Sequence, residues 1–428
     1  MKNISFGFLL AIMINLNAQN NENFVQIESG DYNTASIIQF GDSNYSEVDI
    51  NTDSDYNSVF VTQIGSMNES DVFAQEQASS NSIHLAQKGM ENKSIVSIGE
   101  QIGFRDFPEA VVPNTNNSIQ VRQKGNSNLS QIDLWNFAGA PEGVNRNSVN
   151  IFQKGMGNKV AAGRLSRGPG IRIFDGSDDN GVNVYQRGNG NKFGTNVFYL
   201  GDSDGNLFSS YQRGNNNEMY DWDIFPNSNS NTLSVMQIGN DNYITGKTYL
   251  SSNNSVSLVQ RDYDNFYKSS FSFSDFNTTR DRQRGNLNEI SYELFSSDGN
   301  LARIIQVGDE NSAETVFVNS NDNTLKTIQR GDDNTTYSSV LDSKDNHIRT
   351  IQLGNSNDSK ISATPSSSSS DDNHIRTIQL GNNHKSSVRL LDSHLNTITT
   401  LQMGLGHSST KNLNTASNNI ITIMQSVL

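Results

Sequence analysis

The segment Asn33-Thr-Ala-Ser-Ile-Ile-Gln39-Phe-Gly41-Asp-Ser-Asn44 sets the pattern for the whole chain. Written generally it is Asn-x-φ-x-φ-x-Gln-x-Gly-x-x-Asn, with φ mostly apolar. Its opening Asn recurs as Asn33, Asn57, Asn81, Asn117, Asn147, Asn180, Asn206, Asn231, Asn254, Asn277, Asn300, Asn323, Asn346, Asn373, Asn396 and Asn419. Six residues later stands, every time, a glutamine: Gln39, Gln63, Gln87, Gln123, Gln153, Gln186, Gln212, Gln237, Gln260, Gln283, Gln306, Gln329, Gln352, Gln379, Gln402 and Gln425. The glycine two places on is kept as Gly41, Gly65, Gly89, Gly125, Gly155, Gly188, Gly214, Gly239, Gly285, Gly308, Gly331, Gly354, Gly381 and Gly404. From Asn231 to Asn346 the spacing is a strict 23 residues. Self-similarity at such a period is the mark of a solenoid.

The period inside the motif identifies the element. The second and fourth residues after the Asn are mainly apolar, as in Val59 and Val61, Ile83 and Leu85, or Val149 and Ile151. With the Asn and Gln they make a face of period two, which is a β-strand. Gly-x-x-Asn then predicts a turn, because both residue types tolerate positive φ. A looser second strand follows, as in Tyr45 to Ile50, and Asp, Ser and Asn turn the chain back. The expected fold is therefore all-β, a two-sheet β-solenoid of about sixteen strand-turn-strand coils. Strands of successive coils pair at about 4.8 Å, and inward Asn and Gln stack on their own copies, each amide donating to one neighbour and accepting from the other. Left unpaired, such an amide would cost roughly 1–3 kcal/mol.

Composition agrees with a narrow, partly polar interior. Only 33% of the 428 residues are apolar, against roughly 45–50% in globular chains on a count that includes Gly. Net charge is −14, which disfavours non-specific binding to nucleic acid or anionic membranes. There is no cysteine, hence no disulfide and no thiolate metal site. Met1 to Ala18 reads as a signal peptide: Lys2, an apolar run from Ile4 to Ile14, and a short polar exit before Gln19. No later segment predicts a membrane span. Residues 19–32 read as a lead segment or half coil, since Asn20 to Gln26 shows the Asn-to-Gln spacing, and 33–428 as the repeat domain. The last motif stops at Leu428, so half coils at the two ends are expected to complete one another between molecules. Such a head-to-tail contact does not close and makes a homopolymer.

These residues resemble the curlin repeat family, the subunits of curli fibres, whose pattern is Ser-x5-Gln-x-Gly-x-x-Asn-x-Ala-x3-Gln. The x5-Gln-x-Gly-x-x-Asn core is kept, as in Gln63-Ile-Gly65-Ser-Met-Asn68 and Gln352-Leu-Gly354-Asn-Ser-Asn357. Asn replaces the leading Ser, and Ile50, Leu134, Phe271 or Val340 replaces the second-strand Gln. The Ala position is often Ser, as at Ser46, Ser70, Ser94 and Ser130. The resemblance implies export through a curli-type secretion channel, nucleation by a separate subunit, and a fibre at the cell surface serving biofilm matrix and adhesion. A soluble secreted adhesin or binding scaffold is the alternative, and an ice-binding solenoid a more distant one.

Several features test or qualify the pattern. All six prolines, Pro108, Pro113, Pro141, Pro169, Pro226 and Pro365, fall between motifs. The units opening at Asn81, Asn117 and Asn147 are 36, 30 and 33 residues long; their extra loops, with Phe104, Phe107, Trp135 and Phe137, are expected to decorate solenoid corners. Position five, often apolar as at Ile305, Ile328, Ile351 and Ile378, is expected to face outward, unless the Thr at position four makes these coils rotate. Asp262 replaces a turn Gly, and Arg280-Asp281-Arg282 puts charge in a motif strand, as drift or as gatekeepers. No HExxH, serine elbow, P-loop or dinucleotide fingerprint occurs, so no enzyme, cofactor or metal site is expected. The Asp-rich turns at Asp53-Ser-Asp55, Asp202-Ser-Asp204 and Asp371-Asp372 suit turn geometry better than calcium.

Overall fold

The computed structural model describes residues 10–28, 30–51, 53–75, 77–99, 114–135, 143–160, 171–174, 176–194, 198–201, 203–224, 228–249, 251–342, 344–363 and 371–426. Among them there is no helix, and hence none long and apolar enough to cross a membrane. The protein is an all-β solenoid of two parallel sheets. It divides into two compact units, 1–230 and 231–428.

In the first unit the motif sheet begins with the Leu10–Gln19 strand, which pairs with Thr34–Asp42, and continues through the motif strands to Leu207–Arg213. The second sheet runs from Glu22–Ile27 through Tyr45–Ile50 onward. In the second unit the motif sheet holds nine strands, from Thr232–Asn240 to Ile420–Ser426, and the second sheet eight, from Tyr243–Tyr249 to Ser408–Asn414. Every pairing is parallel, and motif residues face their own copies: Gln283 lies opposite Gln260 and Gln306, Asn183 opposite Asn150.

Parallel pairing in register follows from the repeat, since only that arrangement places every apolar position over its copy. On the motif strands inner positions alternate with outer ones, whereas parts of the second sheet, as in Lys93–Gly99, Leu129–Trp135 and Ile171–Phe174, are buried on both faces. Ala35, Ile37 and Gln39 are buried on the motif strand, and Asn44, Ser46, Val48 and Ile50 on the second strand. Ser46, Ser70, Ser94 and Ser130, each two places after the Asn that closes the turn, are fully buried. Thr327, Thr350, Thr377 and Thr400 are buried too, so these coils do not rotate, and Ile305, Ile328, Ile351 and Ile378 stay on the half-buried outer face.

Three expectations change. The turn after each Gly takes its left-handed residue at the place before the Asn, not at the Asn: Ser43, Met67, Glu310 and Ser356 have φ between 54° and 58°. A second left-handed residue precedes each opening Asn, among them Tyr32, Tyr56 and Asp322. The Asn is left extended, with its side chain directed inward. In the long unit opened by Asn147 the second strand is not continuous, as a corner loop would leave it, but split into Lys159–Val160 and Ile171–Phe174, with 161–170 outside the described residues. Finally, Gln26 pairs opposite Asp49 in the second sheet and lies outside the glutamine column; Asn21, not Asn20, aligns with Asn44. All six prolines and Phe104, Phe107 and Phe137 lie outside the described residues, whereas Trp135 is buried and stacked on Phe174 at 5.8 Å.

Candidate functional site

The site is the set of amide columns inside the coils. In the first unit each Gln Nε2 from Gln39 to Gln186 donates to the Oε1 of the next Gln, at 2.7–2.9 Å. In the second unit the same link joins Gln237 to Gln260, Gln260 to Gln283, Gln283 to Gln306 and so on to Gln425, at 2.8–3.1 Å. Within each unit the interior file that the repeat requires is present. Each Nε2 has spare donor capacity and spends it on main chain: Gln283 also donates to Asn288 O at 2.8 Å and Phe266 O at 3.1 Å. The column thus ties the motif strand to the second strand across the interior.

The opening asparagines make a second column of opposite polarity. Asn277 donates both its backbone N–H (2.9 Å) and Nδ2 (3.2 Å) to Asn254 Oδ1, the coil before it, and Nδ2 also reaches Ser297 O at 2.6 Å. The pattern holds from Asn33 to Asn206 in the first unit and from Asn231 to Asn419 in the second. Glutamine donors therefore point toward the C-terminal neighbour and asparagine donors toward the N-terminal one.

Sequence reasoning missed a third column. The Asn that closes Gly-x-x-Asn, expected only as a turn residue, is buried and laddered: Asn68 Nδ2 donates to Asn44 Oδ1 at 2.9 Å and to Gly89 O at 3.0 Å. The same holds from Asn265 to Asn357 in the second unit. The signal was available, since this Asn follows the Gln by five residues in every motif from Asn44 to Asn357. After Asn357 the column continues in histidine. His384 takes the place of the Asn, its backbone N–H donating to Asn357 Oδ1 at 3.1 Å. Its ring Nδ1 then accepts the His407 N–H at 3.3 Å, while Nε2 lies 3.2 Å from Leu380 O. The neutral Nε2–H imidazole thus copies the acceptor and donor of a carboxamide. Burial, with His407 stacked at 5.3 Å, lowers the His384 pKa.

The turn glycines are fixed by contact. All fourteen have φ between 106° and 127°. A Cβ on Gly308 would stand 2.2 Å from Gly331 O, and one on Gly125 2.0 Å from Gly155 O. Where Asp262 replaces the Gly, the residue holds φ at 81° and its carboxylate accepts the Gly285 N–H at 3.2 Å. The Asp-rich turns serve the same stacking: Asp55, Asp204 and Asp371 each accept a backbone N–H from the coil before.

Asp281 is the one motif-strand carboxyl turned inward. It is 4% exposed and accepts the Tyr292 hydroxyl at 2.9 Å and the Ile304 N–H at 3.0 Å. Burial raises its pKa to about 7 despite both bonds. His347 and His374 occupy equivalent outward places and stack at 5.0 Å, as repetition implies. No family model matches this chain, and no curated protein matches it.

Proposed function

We propose that this protein is the structural subunit of an extracellular curli-like amyloid fibre, built by head-to-tail stacking of copies and contributing to biofilm matrix and adhesion. The single observation that carries this reading is the directional, unfinished amide column. The glutamine column and the column of opening asparagines each consist of one residue type donating to its own copy, so a second molecule extends them with the same chemistry as the coil within. At one end Gln39 Oε1 and Asn21 Nδ2 are buried without a hydrogen-bond partner. At the other, the Ile420–Ser426 strand pairs on one side only among the described residues, and Ile420 and Met424 are 82% and 70% exposed. The polarity fits, because Gln425 Nε2 donates in the direction that Gln39 Oε1 requires.

The Leu10–Gln19 strand covers the edge of Thr34–Asp42, and loss of the expected leader, Met1 to Ala18, bares most of that edge. Export by a secretion channel and a separate nucleator accompany this reading through the curlin resemblance.

The test is incubation of the chain from Gln19 onward, followed by electron microscopy and fibre diffraction. Unbranched fibres with a meridional reflection near 4.8 Å and thioflavin binding are expected. A chain that stays monomeric at high concentration, with and without seeds, is a soluble scaffold instead.

A further inference from the structure

Charge is unevenly distributed over the second unit. On the outer face of the motif sheet, Arg280, Arg303, Lys326, Arg349 and Arg376 lie opposite one another on five consecutive strands. Arg284 and Arg330 stand on the same face two positions beyond the outward position-five residues. Among the described residues none of these seven takes part in an ion pair, and the outward positions of these five strands carry no Asp or Glu. The acids lie elsewhere: Glu289, Glu293 and Glu314 are exposed on the second sheet. In a chain of net charge −14, the charged outward side chains of these five strands are all cationic.

Such a row opposes folding. Like charges directly across adjacent strands destabilise a sheet, and at about 4.8 Å spacing they lie well inside the ~8 Å Debye length at physiological salt. The fold does not require them, because the same position is Ser234, Ser257, Thr399 and Thr422 in the flanking coils. Beside the row runs a half-buried apolar strip, Ile305, Ile328, Ile351 and Ile378.

We infer that the cationic row Arg280–Arg376 with its isoleucine strip is a binding face for a linear anionic polysaccharide laid along the solenoid axis. A carboxylated sugar chain offers regularly spaced anions, and Arg binds planar carboxylates by a two-pronged contact. The C–H faces of sugar rings match the isoleucine strip. Nucleic acid fits less well. Phe, Tyr and Trp are absent from the outward positions of these five strands, and the aromatic rings there, His347 and His374, stack on one another at 5.0 Å rather than standing apart to receive bases; a sheet face also cannot enter a duplex groove as a helix or two-stranded ribbon does. The face belongs to a single copy, so it does not depend on polymerisation.

The test uses the full chain and fluorescent alginate, with binding read by anisotropy at 0.05, 0.15 and 0.3 M NaCl. One variant carries Arg280→Ser, Arg303→Ser, Lys326→Ser, Arg349→Ser and Arg376→Ser. A charge-matched reference carries Lys247→Ser, Lys268→Ser, Lys360→Ser, Lys385→Ser and Arg389→Ser on the second sheet. Alginate affinity is expected to fall at least tenfold in the row variant and less than threefold in the reference, with the salt dependence flattened only in the former. The double variant Arg303→Ser/Arg349→Ser is expected to lose an intermediate share, and decides the matter if the fivefold variant misfolds. Neutral dextran is expected not to bind, and duplex DNA to bind at least tenfold more weakly than alginate. Absence of alginate binding to the parent chain, equal losses in both variants, no loss in the double variant, or tighter binding of DNA overturns the inference.

Discussion

Replacing Gln283 by Leu keeps the side-chain volume and removes the amide from the middle of the column. Gln306 Oε1 loses its donor at 3.1 Å, and Gln260 Nε2 loses its acceptor at 3.0 Å while keeping Asn265 O and Tyr243 O. Phe266 O and Asn288 O also lose the Gln283 donor. Stranding a buried acceptor costs about 1–3 kcal/mol, and at least two are affected. Leucine returns roughly 1–2 kcal/mol through apolar burial. The net loss is about 2–4 kcal/mol, read from urea unfolding of freshly purified monomer followed by circular dichroism. Contacts in a solenoid run only between neighbours, which sharpens the test. Gln283→Leu breaks two column links and Gln306→Leu breaks two, but the double variant breaks three, because one link is shared. The double variant should therefore cost less than the sum by about 1 kcal/mol or more. Strict additivity, or a single-variant cost below about 0.5 kcal/mol, would refute the idea that the column acts as a chain of linked amides.

Other substitutions probe the turns and the titratable interior. Gly308→Ala drives a Cβ into Gly331 O and should cost more than about 3 kcal/mol, whereas Gly406→Ala, at φ 68° with nothing within 4 Å, should cost about 1–2 kcal/mol; similar thermal shifts would remove the steric account. Asp281 has a folded pKa raised to about 7, so the folded state holds its proton more tightly than the unfolded chain, and stability declines as pH rises from about 4 to 7. At 1.36 kcal/mol per unit the loss is on the order of 4 kcal/mol, and Asp281→Asn, which keeps both acceptor bonds, should flatten that slope in pH-dependent unfolding. His384 behaves in the opposite sense: its pKa is lowered by burial, so its contribution is present above the ordinary histidine range near 6.5 and is lost as pH falls below it. His384→Asn restores a carboxamide and should abolish the acid-side loss, measured by hydrogen exchange over the last coils.

Much of this molecule was legible before any coordinates. Sixteen in-phase Asn-to-Gln pairs, with apolar residues between them at period two, leave room only for parallel strands stacked in register. In-register stacking in turn makes identical side chains neighbours, so the glutamine file and the first asparagine file follow from spacing alone. The buried serines after the turn, and the outward place of Ile305 and its copies, follow from the same alternation. What spacing does not carry is direction. Whether an amide donates up or down the axis depends on where main-chain carbonyls such as Asn288 O and Ser297 O stand relative to each side chain, and that is set by how the two arcs of a coil close on one another. The same closure placed positive φ on Ser43 and Met67 rather than on Asn44 and Asn68, turned the latter inward as a third column, and allowed imidazole to stand in for carboxamide at His384. The basic row at position three, Arg280 to Arg376, is legible in the same spacing, but whether nearby acids pair with it depends on where the turns and the second sheet carry their carboxylates, and among the described residues they form no ion pair with it.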